Sequence, residues 1–118
     1  YEKALEIRKK VLGEEHPDTA LSLNNLGYLL QAMGDLPAAR PYFEKALEIR
    51  KKVLGEEHPD TALSLNNLGL LCYYENDFEG AAKLMRQACV IYKKVLGGVH
   101  PDTISSMESL AEIEKRLE

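Results

Sequence analysis

Glu2–Gly27 reads EKALEIRKKVLGEEHPDTALSLNNLG, and the same 26 letters return unchanged as Glu44–Gly69. The tetrapeptide His-Pro-Asp-Thr inside this stretch stands at His16–Thr19, His58–Thr61 and His100–Thr103, at equal intervals: 58 − 16 = 42 and 100 − 58 = 42. A fixed period in the range of about 20–50 residues marks a repeat array, because each unit buries its apolar face only against its neighbours. The 118 residues therefore read as about three copies of one supersecondary unit.

Within the unit, apolar residues follow helical spacing. In Tyr1–Leu12 they fall at Tyr1, Ala4, Leu5, Val11 and Leu12, with charged residues on the other side, which is the period of an amphipathic helix. Gly13 suits the left-handed position that ends such a helix. Pro17 then fits a first helical position, where no N–H is needed. Asp18 belongs either in that first turn, at the positive end of the helix dipole, or at the N-cap itself. The helix that begins here runs to about Met33. Thr19–Met33 and its counterpart Thr61–Tyr74 hold no charged residue, so these helices, named A, are expected inside the array and the amphipathic B helices outside.

Gly34-Asp35 breaks the first A helix, and Asp35 is a good N-cap for a B helix over Leu36–Leu54. Pro41, inside that helix, removes one backbone bond. Helices over Pro59–Glu75, Phe78–Leu96 and Pro101–Leu117 complete the order B-A-B-A-B-A. Short connections make successive helices antiparallel neighbours. The chain divides into a half repeat 1–16 (helix B), full repeats 17–58 and 59–100, and a half repeat 101–118 (helix A). The last helix is more charged than its siblings, as a solenoid's C-terminal cap should be.

Leu23, Leu26-Gly27, Leu30, Gly34-Asp35, Ala39, Phe43 and Ala46 have the spacing of the tetratricopeptide repeat, and Leu65, Leu68-Gly69, Cys72, Asp77, Ala81, Met85 and Ala88 repeat it. The unit is longer than the ordinary one. Ala-Leu-Glu-Ile-Arg, Val-Leu-Gly, His-Pro-Asp and Leu-Asn-Asn-Leu together resemble the repeats of kinesin light chain. The resemblance implies an all-α, right-handed helical solenoid of antiparallel helix pairs, six helices in all. It also implies a protein-interaction scaffold whose A helices line a concave groove that holds extended peptides, with Asn supplying hydrogen bonds to peptide backbone.

Bulk properties narrow the choices further. A formal charge of −4 argues against nucleic acid as the main partner, because phosphates are met by a basic stripe. No apolar run reaches the ~18 residues of a membrane span, and nothing at Tyr1 resembles a signal peptide, so an intracellular, cytoplasmic setting is the default. Cys72 and Cys89 have no disulfide-like spacing and are expected reduced. His-Pro-Asp also resembles the J-domain tripeptide, but here it recurs with the period of the fold. His16, His58 and His100 with Pro17, Pro59 and Pro101 and Asp18, Asp60 and Asp102 therefore read as helix starts, alongside Gly27 and Gly69 as close-approach positions. One repeat of separation places the three histidines too far apart for one metal. No phosphate loop or nucleophile motif occurs, so no metal, no cofactor and no catalytic residue is expected.

The candidate site is the groove. On the first A helix Leu21, Asn24, Tyr28 and Gln31 form a stripe beside the core positions, and Leu63, Asn66, Leu70 and Tyr73 are their equivalents. Ser105, Glu108, Glu112 and Lys115 follow on the last helix. An interior Asn costs about half a kcal/mol against Ala, so each should have a partner: Asn24 and Asn66 a bound peptide, Asn25 and Asn67 a neighbouring helix. The first two A helices carry no Lys or Arg to grip an acidic peptide, which favours a neutral or apolar ligand. Two other readings stand beside this one. The chain is a structural spacer, or a repeat array that self-associates end to end through its uncapped first helix, with no ligand of its own; or it is the recruitment or sensor arm of a larger enzyme or NTPase.

Overall fold

The computed structural model describes residues 16–118, and the helix expected over Tyr1–Leu12 lies outside them. Among the described residues the chain forms five α-helices and no strand. They are α1 (Pro17–Ala32), α2 (Leu36–Leu54), α3 (Pro59–Tyr74), α4 (Phe78–Leu96) and α5 (Pro101–Lys115). The A helices α1, α3 and α5 end one or two residues earlier than the sequence pattern suggested, because Met33, Glu75 and Leu117 fall into the closing turns. Each helix packs on the one before and the one after it.

The recurring tetrapeptide is a helix start. His16, His58 and His100 are the N-caps, and their Nδ1 atoms accept from the N–H of Asp18, Asp60 and Asp102 at 3.0, 3.0 and 3.1 Å. Imidazole Nδ1 stands as far from the backbone as the Oδ1 of Asn, so it satisfies one of the orphan N–H groups of the first turn in the same way. This corrects the alternative in which Asp18 caps the helix. Its N–H is bonded to the cap, and its carboxylate lies in the first turn, as the dipole favours.

The B helices start on aspartate: Asp35 Oδ1 accepts from Ala38 N–H at 3.2 Å and Asp77 Oδ1 from Gly80 N–H at 3.0 Å. They end at Gly55 and Gly97, whose φ values of 96° and 90° lie where an L side chain is strained. Helix α2 runs on through Pro41 to Leu54. The A-to-B turns close as a Schellman motif, with Asp35 N–H on Leu30 O at 2.9 Å and Asp77 N–H on Cys72 O at 2.8 Å.

Packing repeats as the sequence does. Helix α2 buries Ala39, Phe43, Ala46 and Arg50, and α4 buries Ala81, Met85, Ala88 and Tyr92, the same four positions one repeat on. Gly27 is required by the first of these: a Cβ there would stand 2.8 Å from a Phe43 ring carbon. The core is a chain of apolar clusters along the array, with Leu23, Ala46 and Ile49 in one and Cys72, Met85 and Ile113 in another. Those clusters fix how far apart the A helices lie, and so the shape of the surface between them.

Candidate functional site

Two seams separate the A helices. The α1–α3 seam opens into a depression of about 480 Å³ lined by Tyr28, Gln31 and Ala32 of α1, Leu36 of α2 and Tyr74 of α3. Tyr28 and Tyr74 are 41% and 52% exposed, so both rings present apolar surface to a ligand. The Tyr28 ring is fixed edge-on to Phe43 at 5.5 Å, and its hydroxyl donates to Asn67 Oδ1. Gln31 Oε1 is buried without a hydrogen-bond partner, an acceptor held at the wall of the depression.

The α3–α5 seam carries two smaller depressions. Leu70, Tyr73, Ser109, Glu112 and Ile113 line one of about 140 Å³. Leu63, Asn66, Tyr92, Asp102, Ser105 and Ser106 line the other, of about 120 Å³. The Tyr73 ring is held at 5.5 Å from Phe78 and lies under the Arg116 guanidinium at 5.6 Å. Helices α1 and α3 each carry a single charged residue, Asp18 and Asp60 in their first turns. Only α5 brings carboxylates to the seams, Glu112 among them.

Of the expected groove residues, Tyr28, Gln31, Leu63, Asn66, Leu70, Tyr73 and Glu112 thus meet in these seams. Leu21 and Glu108 are exposed but line none of the depressions described. Asn24 is different: it is 2% exposed, and its Oδ1 accepts from Asn67 Nδ2 at 2.8 Å. A peptide would find almost no surface on it. Asn25, expected to tie helices together, is exposed. The correction is rotational. At about 100° per residue, Asn24 turns towards α3 and Asn25 away from it. Asn66 keeps both possibilities, since it is half-buried and its Oδ1 accepts from Ser106 Oγ at 3.1 Å.

The sequence offered Tyr74 beside Tyr28 and Tyr73 as a flat apolar contact with a polar tip, but the stripe built on the repeat left it out, since the residue one repeat earlier is Ala32. Sequence reasoning missed the polar ties between units. Arg40 reaches from α2 to Cys72 Sγ at 3.6 Å and to the Glu75 carboxylate, and these bonds raise its pKa further above the ordinary arginine value. Arg50 is 4% exposed and donates to Ser64 Oγ at 2.9 Å and Asp60 O at 3.4 Å. Burial pulls its pKa down. Tyr92 holds the equivalent position one repeat on, and burial pushes its phenol up to about 12. An arginine in an amphipathic pattern reads as solvated surface, so this signal was present but pointed the wrong way. A further depression of about 390 Å³, on the B-helix side, includes Leu65, Val90 and Ile91 among its lining, with Lys51 and Arg86.

Among the described residues, no group of three or more His, Cys, Asp or Glu is placed to hold a metal ion, and no helix is long and apolar enough to cross a membrane. Cys72 and Cys89 are free, the first buried.

The solved structure of BtubC (BKLC) from P. vanneervenii superimposes with a TM-score of 0.91 at 28% identity, over 99% of this chain and 47% of that one. A putative kinesin light chain from Podosopora anserina, built of nearly identical TPR-like repeats, gives 0.89 at 28% identity, over 98% of this chain and 55% of that one. The chain thus spans about half the length of each. No curated protein matches it by sequence. The tetratricopeptide repeat profile matches residues 1–52 and 21–94, most of the chain and both copies of its signature, and the chain belongs to the tetratricopeptide repeat family.

Proposed function

We propose that the chain is a non-catalytic interaction module that takes an extended, uncharged peptide segment along the seams of its A helices. Tetratricopeptide arrays serve in general as protein–protein interaction scaffolds. The observation that carries the finer reading is the α1–α3 depression: two exposed tyrosine rings, an aliphatic wall at Leu36 and no formal charge. Its volume of about 480 Å³ is within the range of small-ligand sites, and its aromatic walls suit an apolar side chain. The buried Gln31 Oε1 offers an acceptor for a peptide N–H if the side chain turns outward. Along α3 and α5, Asn66, Tyr73 and Glu112 would continue the track. No side chain is assigned a catalytic role.

End-to-end association of copies is the second reading of the partner question, and the last A helix speaks against it. By the repeat register Glu108 and Glu112 replace Asn24 and Tyr28 on the face that meets the next A helix. Stripping water from those carboxylates is costly. A random peptide-display library tests the leading reading. Enriched peptides should share an apolar anchor, and Tyr74→Ala should weaken them at least about tenfold, the loss of one well-buried aromatic contact, with the melting temperature unchanged. Selected peptides that bind the variant as well as the parent would sink the proposal.

A further inference from the structure

Helix α2 sends a buried guanidinium into α3, and its copy α4 does not do the same for α5. Arg50 donates to Ser64 Oγ at 2.9 Å and to Asp60 O at 3.4 Å, both in the first turns of α3. One repeat on, the aspartate and the serine return as Asp102 and Ser106, while Tyr92 stands where the arginine was. The apolar surroundings are kept as well. Tyr92 packs with Ala62, Leu65 and Ala88, the counterparts of Ala20, Leu23 and Ala46. The acceptors of a guanidinium are therefore in place, and the guanidinium is gone.

Two further departures from the template loosen the same seam. Ser105 replaces Leu63, and Ser109 replaces Asn67, the residue that bonds Asn24 between α1 and α3. The result is the depression of about 120 Å³ between Leu63, Asn66, Tyr92, Asp102, Ser105 and Ser106. At ~30 Å³ per water it has room for about four waters, or for the four heavy atoms of a guanidinium. Its lining holds one carboxylate and no basic side chain. Ser106 Oγ is buried and gives its proton to Asn66 Oδ1 at 3.1 Å, which leaves it a lone pair for another donor. The Asp102 carboxylate lies 3.9 Å from His100 Nδ1, but that nitrogen accepts from the Asp102 N–H and has no proton to offer.

We propose that this α3–α5 depression binds a guanidinium group, carried by an arginine side chain of a partner segment or by a small free compound. The head group donates to the Ser106 hydroxyl and to Asp102, as Arg50 does to Ser64 and Asp60. The Asp102 carboxylate offsets its charge. The site goes beyond the peptide reading and does not rest on it. The α1–α3 depression that carries that reading shares no residue with this one, so either can fail alone.

The test is a nuclear magnetic resonance titration of the full chain, read at the Asn66 side-chain amide and the backbone amides of Ser105 and Ser106. The probes are ethylguanidinium chloride, a capped Gly-Arg-Gly tripeptide, and ethylurea as the neutral isostere. Both guanidinium probes should give saturable shifts in the millimolar range, and ethylurea none. A tripeptide that binds more tightly identifies a peptide arginine as the source, and equal binding a free compound. Tyr92→Arg puts the template's own guanidinium back, and Ser105→Leu, at an exposed position, refills the space. Each should abolish the saturable shifts. Asp102→Asn should weaken binding about threefold, as expected for an exposed carboxylate, and Tyr74→Ala should leave it unchanged. Three results would overturn the proposal: no saturation in the parent chain, ethylurea binding as well as ethylguanidinium, or undiminished binding to Tyr92→Arg and Ser105→Leu.

Discussion

Identical letters meet different surroundings in this chain, and Gly27 and Gly69 show what that does to a substitution. A Cβ on Gly27 would lie 2.8–3.0 Å from three carbons of the Phe43 ring. That ring is fully buried and also edge-on to Tyr28, so it has nowhere to go. On Gly69 the same Cβ meets Ala81 O at 3.3 Å and the flexible tip of Met85 at 3.4 Å. Gly27→Ala should therefore destabilise by about 1–3 kcal/mol, the usual range for overpacking. Gly69→Ala should come out near neutral, because a helix interior gains up to ~1 kcal/mol from alanine. Urea unfolding of the two variants decides it, and equal effects would refute the packing argument.

At the scale of elements, each A helix hangs on the link before it, and the links are not equivalent. Thr61 Oγ1 donates to Gly55 O at 2.7 Å, tying the start of α3 to the end of α2. In the last link Gly98-Val99 replaces Glu56-Glu57. The His100 N–H takes Gly97 O at 3.4 Å, and the buried Thr103 Oγ1 is left without a partner. Thr61→Val should cost about 1 kcal/mol by removing the bond to the half-buried Gly55 carbonyl, whereas Thr103→Val should be neutral or slightly stabilising. Thermal unfolding of the pair checks this, and a larger loss at Thr103 would contradict it. Helix order, the boundaries of α2 and α4, and the aspartate caps were legible in the sequence because glycine, proline and aspartate punctuate the chain at each of them. The histidine cap was not, since the proline beside it draws the eye to Asp18. Nor was the direction of the two asparagines: they lie about 100° apart at the edge of the buried stripe, and only the position of the neighbouring helix distinguishes them.

On the scale of the molecule, stability passes from unit to unit through B-helix packing and through the hydrogen-bonded triad of Tyr28 with the buried Asn67 and Asn24. Asn24→Ala and Asn67→Ala should each destabilise by about 1–3 kcal/mol, because each leaves a buried partner unsatisfied. The double variant should cost less than their sum by about 1 kcal/mol. Strict additivity in a double-mutant cycle would show that the triad does not couple the units. Most of the candidate groove was visible as a stripe of residues, yet its depth at Tyr74 depends on a position that breaks the repeat. The asparagine joint between Asn24 and Asn67 has one more consequence, a genetic one. The first two A helices each carry both asparagines of the pair, and Glu2–Gly27 is duplicated letter for letter as Glu44–Gly69. A crossover anywhere between those copies adds or removes one whole unit and rebuilds the same interface at the splice. Array length can therefore change in a single recombination event, without any new contact having to evolve.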